Sequence, residues 1–158
     1  MTPTRVFIHG LESSSQGTKG SFFKEKFPDM IVEDFIGAFE EKMDKLNNIL
    51  AGKGDLILVG SSYGGMMACE FSCRMPEKIK KLILLAPALN HMPHEICLDM
   101  KLNFPITIYH GNRDNVIPPG EVYEIARKLF TNLSYHLVPD DHSLHSTFVG
   151  LDWDSLLS

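Results

Sequence analysis

The sequence predicts an α/β fold: a parallel β-sheet covered by helices on both faces, built as one domain over residues 1–158. Short apolar runs alternate with longer amphipathic segments along the whole chain. Runs such as LILVG and KLILLAPAL are apolar at nearly every position, as strands buried on both faces must be. A length of 158 residues, with 44% apolar and 22% charged residues, suits a single core of ordinary composition.

The elements follow in order. Residues 5–10, RVFIHG, read as the first strand, and 19–27 as a short helix closed by Pro28. MIVEDF at 30–35 is the second strand. From 38 to 51, Phe39, Met43, Leu46 and Leu50 recur at helical spacing, and GKGD breaks that helix. LILVG at 56–60 is the third strand, followed by a helix over 63–75 that Pro76 ends. KLILLAPAL at 81–89 is the fourth strand, and 90–103 is irregular. FPITIYHG at 104–111 is the fifth. The helix over 118–130 has proline near its start, where a missing N–H costs little. LSYHLVP at 133–139 is the sixth strand, and 144–157 is a last helix interrupted near Gly150.

Bulk chemistry excludes several classes of function. A net charge of −5 gives no basic footprint for nucleic acid or for an anionic membrane. No apolar run reaches the roughly 18 residues that span a bilayer. The start shows no signal peptide, so the cytoplasm is the expected compartment. Cys69, Cys73 and Cys97 form no CxxC or Cys/His zinc pattern and read as reduced core thiols. Cys69 and Cys73 share one helix face, but further ligands with suitable spacing for a metal are lacking.

The chemistry gathers at the end of the third strand. Gly60-Ser61-Ser62-Tyr63-Gly64 spells G-x-S-x-G between a strand and a helix, the setting of a nucleophile elbow. The small residues let strand and helix approach, and the turn lifts the Ser62 hydroxyl to the top of the sheet. A phosphate loop fits poorly, because the P-loop lysine is missing and GSSYGG does not spell G-x-G-x-x-G.

Serine needs a base to take its proton, and the base needs a carboxylate to hold it. Both belong at the carboxyl ends of later strands, in the order Ser, acid, His. Asp114, in a loop just past the fifth strand, is the acid candidate; Asp99 is weaker, being far from a strand end. His142, in the loop after the sixth strand, is favoured as base over His145, which opens the last helix with its side chain along the surface. A histidine base predicts a rate that climbs through about pH 6 to 7.5. Backbone N–H groups of Tyr63 and Leu11 are the candidate oxyanion donors. His110 reads as structural, bonding nearby backbone, while His91, His94 and His136 have no evident partner.

With these residues in view, the sequence resembles the α/β-hydrolase superfamily, and within it the small bacterial serine esterases. The resemblance rests on His9-Gly10, GSSYGG at 60–65, MPEKIKKLILLAPAL at 75–89, HGNRDNVIP at 110–118 and DDHSL at 140–144, and it runs over nearly the whole chain. It implies a minimal three-layer α/β/α sandwich of six parallel strands in the order 2-1-3-4-5-6, beginning at the family's third strand. It also implies hydrolysis of an ester or thioester through an acyl-serine, without metal or cofactor, on a small acyl substrate. In that scheme Ser62 attacks, His142 moves the proton, Asp114 orients His142, and Leu11 and Tyr63 hold the oxyanion. The segment after the fourth strand is too short for a cap domain, so an open, shallow site is expected. Met66, Met92, Met100, Leu11 and Ile117 are the candidate lining residues. Thioesterases, peracid-forming peroxidases and peptidases can share this triad. A non-catalytic ligand- or partner-binding member is the alternative outside enzymes.

Overall fold

The computed structural model describes residues 2–92 and 96–158. Its elements run β1 (Thr4–Ile8), α1 (Thr18–Lys26), β2 (Ile31–Val32), α2 (Phe39–Leu50), β3 (Leu56–Ser61), α3 (Tyr63–Arg74), β4 (Ile79–Leu85), β5 (Ile106–Gly111), α4 (Pro119–Leu129), β6 (Leu133–Val138), α5 (His145–Phe148) and α6 (Trp153–Leu156). The strands form a 6-stranded sheet in the order β2-β1-β3-β4-β5-β6, and every neighbouring pair is parallel.

The period-2 geometry of a strand sorts side chains onto the two faces. In β3, Leu56 and Leu58 join Met43, Leu46 and Leu50 of α2, together with α3 and α4, in one core. Their neighbours Ile57 and Val59 join Phe23 of α1, Phe148 of α5 and Trp153 of α6 in a second core on the other face. β4 divides likewise, with Leu82 and Leu84 on one side and Ile83 and Leu85 on the other. All of these strand residues are fully buried. Truncating any one to alanine costs about 2–5 kcal/mol. Continuous apolar runs are therefore what a two-sided core demands, and the three layers follow.

Two elements differ from the sequence expectation. MIVEDF forms a strand only at Ile31 and Val32, because the chain leaves the sheet edge at Glu33 and Asp34. The fourth strand ends at Leu85, where Ala86 takes φ 44° and turns the chain across the top of the sheet. The last helix divides into α5 and α6, joined around Gly150 as expected; Asp152 caps α6 by accepting from the Ser155 N–H. Among the described residues, no helix is long and apolar enough to cross a membrane.

Candidate active site

Ser62 stands between β3 and α3 with φ 55° and ψ −114°. A non-glycine residue held there costs about 1–3 kcal/mol, so the surroundings must enforce it. They do so from both sides. The Ser62 N–H donates to the Leu85 carbonyl at 2.9 Å, and the Ser62 carbonyl accepts from Gly65, Met66 and Ala88. The turn also requires very close backbone packing. A Cβ on Gly60 would lie 2.5 Å from the Gly64 carbonyl oxygen, and one on Gly64 only 2.0 Å from that of Ile8. Serine at a helix N-cap usually bonds its own helix. Here the hydroxyl does not cap α3. It lies 3.1 Å from His142 Nε2 instead.

His142 Nδ1 lies 2.6 Å from Asp114 Oδ2. A carboxylate only accepts, so Nδ1 carries the proton, and Nε2 is left to accept from the Ser62 hydroxyl. The structure thus brings together Ser62, Asp114 and His142, from the ends of β3, β5 and β6. Asp114's side chain is fully buried, and both of its oxygens are occupied. Oδ1 accepts from the Val116 and Ile117 N–H groups at 2.8 Å each. Burial pushes the Asp114 carboxyl up, but the Ile117 N–H, His142 and the Val116 N–H outweigh it and hold the group below the usual carboxylate range.

Asp114 Oδ2 also lies 3.1 Å from His110 Nε2. His110 is completely buried, and the same nitrogen donates to the Ile117 carbonyl at 2.9 Å. The sequence reading found its backbone bond but missed its contact with Asp114. An i,i+4 His/Asp pair was the available signal, obscured because a loop and not a helix connects the two. Burial pushes the His110 imidazole below its ordinary 6.5, against the pull of the Ile117 carbonyl and of Asp114. The unfolded chain therefore binds more protons than the folded one below about pH 6.5, so this contribution to stability is present above that pH and declines as pH falls through it. We expect the urea midpoint to drop between pH 7 and 5, and the drop to be smaller in His110→Asn. Equal slopes in the two proteins would assign the drop to other groups.

The loop bearing His142 is pinned by buried Asp140, whose Oδ2 accepts from the Thr147 N–H and hydroxyl at 2.8 Å each. Lys19 Nζ donates to the Ser143 carbonyl at 2.7 Å on the loop's outer side. His145, three residues beyond His142, faces solvent and reaches Asp141 at 3.2 Å. Asp99 is exposed.

The family described as alpha/beta hydrolase fold matches residues 13–103, more than half of the sequence. The chain belongs to this family. Two homoserine O-acetyltransferases, from strains of Thermus thermophilus, are 35% identical over 74 residues, or 47% of this α/β hydrolase. The match spans only 18% of those relatives' length. Among solved structures, mouse alpha/beta hydrolase domain-containing protein 10 aligns with 100% of this chain and 92% of its own, with TM-score 0.78 and 19% identity. A monoacylglycerol lipase from Paleococcus ferrophilus aligns with 99% of this chain and 95% of its own, with TM-score 0.73 and 15% identity. At these identities the structural likeness is one of fold.

Around the elbow of this α/β-hydrolase-fold protein, the loop after β1 returns against Ser62: a Cβ on Gly10 would sit 3.5 Å from that of Ser62. His9 fixes the loop. The Phe35 N–H donates to His9 Nε2 at 2.9 Å, so Nδ1 carries the proton and donates to the Gly10 carbonyl at 2.7 Å. Among the described residues, neither the Leu11 nor the Tyr63 N–H donates to another group. Beside this loop lies a cleft of about 500 Å³, lined in part by His9, Leu11, Asp34 and Lys42. Of the five residues expected to line the site, Leu11 lines this cleft. Met66 and Ile117 are buried in the core on the α2–α3 side, and Met92 and Met100 pack against it. Methionines at helical spacing served packing here. Of the other histidines, His136 stacks on Tyr109 at 4.8 Å, His91 is exposed, and His94 lies outside the described residues.

The cysteine reading needs correction. Cys73 and Cys97 form a disulfide, and only Cys69 is a free thiol. The segment after β4 returns over α3 and delivers Cys97 there, a contact that spacing along the sequence does not show. Burial, with the Glu70 charge adding to it, pushes the Cys69 thiol up to about 12. The bridge joins residues 24 apart, and chain-entropy arguments assign a loop of that size about 3 kcal/mol. Reduction should lower the urea midpoint accordingly; an unchanged midpoint would mean the bridge does not form in solution.

Proposed function

We propose that this α/β hydrolase cleaves a carboxylic ester or thioester through an acyl-serine intermediate. The observation that carries the reading is the Ser62–His142–Asp114 arrangement, with contacts of 3.1 and 2.6 Å, on a backbone turn that strains Ser62 outward. Ser62 Oγ attacks the carbonyl carbon as its proton passes to His142 Nε2. Asp114, held below the carboxylate range, stays charged and stabilises the imidazolium. The oxyanion takes the Leu11 and Tyr63 N–H groups at the positive end of α3. Collapse expels the alcohol or thiol, which receives the proton from His142. Water, deprotonated by His142, then attacks the acyl-serine and regenerates the hydroxyl.

A second acceptor in place of water would make the same acyl-serine an acyl-transfer intermediate. The stretch 35% identical to proteins named homoserine O-acetyltransferase favours keeping that reading beside hydrolysis. The test is fluorophosphonate labelling of the folded protein, with the modified residue located by mass spectrometry and Ser62→Ala as control. Rapid labelling at Ser62 alone is expected. Absence of labelling would turn the reading to a ligand- or partner-binding member of the family.

A further inference from the structure

Lys42 is a buried cation without an anionic partner. It lies on α2 among Phe39, Met43 and Leu46, on the face turned to the core, and retains only 4% of its exposure. Its ammonium sits 4.2 Å from the centre of the Tyr63 ring. Among the described residues, no carboxylate or carbonyl accepts from it, and burial pushes its pKa down. An aromatic face compensates only part of the hydration that a buried ammonium loses. Yet Lys42 lines the cleft of about 500 Å³, and its ring partner Tyr63 immediately follows Ser62.

The other titratable groups in and around the cleft are already engaged. Both ring nitrogens of His9 bond backbone groups. Asp34, half-buried at the rim, accepts from the Ser15 N–H at 2.8 Å, and its bonds to Ser15 hold it below its ordinary range, with His9 and Lys24 adding to them. Lys24 itself donates to the Ser15 hydroxyl at 3.2 Å. Lys45 donates to the Asp34 carbonyl and pairs with Glu33 at 3.8 Å. Glu41 accepts from the Ala38 N–H at 3.1 Å, at the start of α2. The uncompensated charge facing the cleft is therefore positive and interior, while a negative group stands at its mouth.

We propose that the cleft beside the loop that packs on Ser62 takes the anionic end of the substrate, so that this hydrolase selects short-chain esters or thioesters bearing a carboxylate, with Lys42 as the selecting residue. The inference rests on Ser62 being the nucleophile. A carboxylate entering the cleft gains the ammonium as partner while the carbonyl carbon rests on the elbow. Asp34 at the rim disfavours a shallow pose and directs the anion inward to Lys42.

The test compares kcat/KM for p-nitrophenyl hemiglutarate, which carries the carboxylate, and p-nitrophenyl valerate, which does not. The wild-type protein should favour the hemiglutarate at least tenfold. In Lys42→Met, which keeps the length and removes the charge, that ratio should collapse towards one, chiefly through KM; Lys42→Arg should retain part of it. A merely structural lysine would lower both rates together and leave the ratio unchanged, which would overturn the proposal, as would equal rates in the wild type. Titration of Ser62→Ala protein with glutarate separates this inference from the hydrolase reading. If neither ester is turned over, the Ser62 reading falls, and the cleft is judged by glutarate alone. Binding weakened at least tenfold by adding Lys42→Met supports the anion site, and no binding before that change removes it.

Discussion

His142→Ala should lower kcat for any ester this protein turns over by about four to six powers of ten. Without the imidazole, the Ser62 hydroxyl has no acceptor for its proton, and the leaving group has no acid. Asp114→Asn should cost about 10⁴, because the amide can present its NH₂ to Nδ1 and favour the wrong tautomer. The matched control is His145→Ala. That side chain is 75% exposed and meets only Asp141, so the rate should stay within about twofold. Steady-state kinetics on one p-nitrophenyl ester, with circular dichroism to check folding, decides the matter. A large loss in His145→Ala with an active His142→Ala would exchange the roles of the two histidines.

Gly64→Ala should remove more stability than any other single methyl addition in the molecule. Its Cβ would lie 2.0 Å from the Ile8 carbonyl oxygen and 2.6 Å from that of His9. Both obstacles are backbone, part of β1 and of the turn that follows it, so no rotamer change relieves them. Separating α3 from β1 would also disturb the packing that holds Ser62. A loss of about 4 kcal/mol or more is expected, enough to prevent folding in a domain of ordinary stability. Gly120→Ala is the contrast: nothing lies within 4 Å of its added Cβ, and it occupies the first turn of α4. It should stabilise by about 0.5–1 kcal/mol. Urea unfolding measures both, and a wild-type midpoint in Gly64→Ala would mean that α3 can shift away without cost.

The parts legible in the sequence were those whose cause is local. The runs around Leu58 and Leu84 are apolar because each strand has a core on both faces, and that demand is written at every position. The elbow was readable for the same reason: glycines at 60 and 64 answer clashes with residues only a few positions away or on the adjoining strand. Asp114 and His142 could be chosen because strand ends in a parallel sheet converge on one edge. What escaped depends on packing between distant segments. The Cys73–Cys97 bridge needs the path of the segment after β4. Lys42 falls within an amphipathic helix and reads as surface, until the fold buries it with its ammonium over the Tyr63 ring. His110 looked like the end of a strand because its second partner lies across a turn.

Every acceptor position of the buried Asp114 carboxylate is engaged, by two backbone N–H groups on one oxygen and two imidazoles on the other. Its torsion is therefore fixed when the chain folds and, in the proposed mechanism, need not be found anew in each turnover. On the proposed mechanism the same bonds serve two masters, thermal endurance and catalytic alignment. Selection for a looser, more permissive site at this carboxylate would lower the melting temperature along with it. On the proposed reading, divergence in substrate range is freer in the cleft beside the loop after β1, whose lining makes none of these bonds.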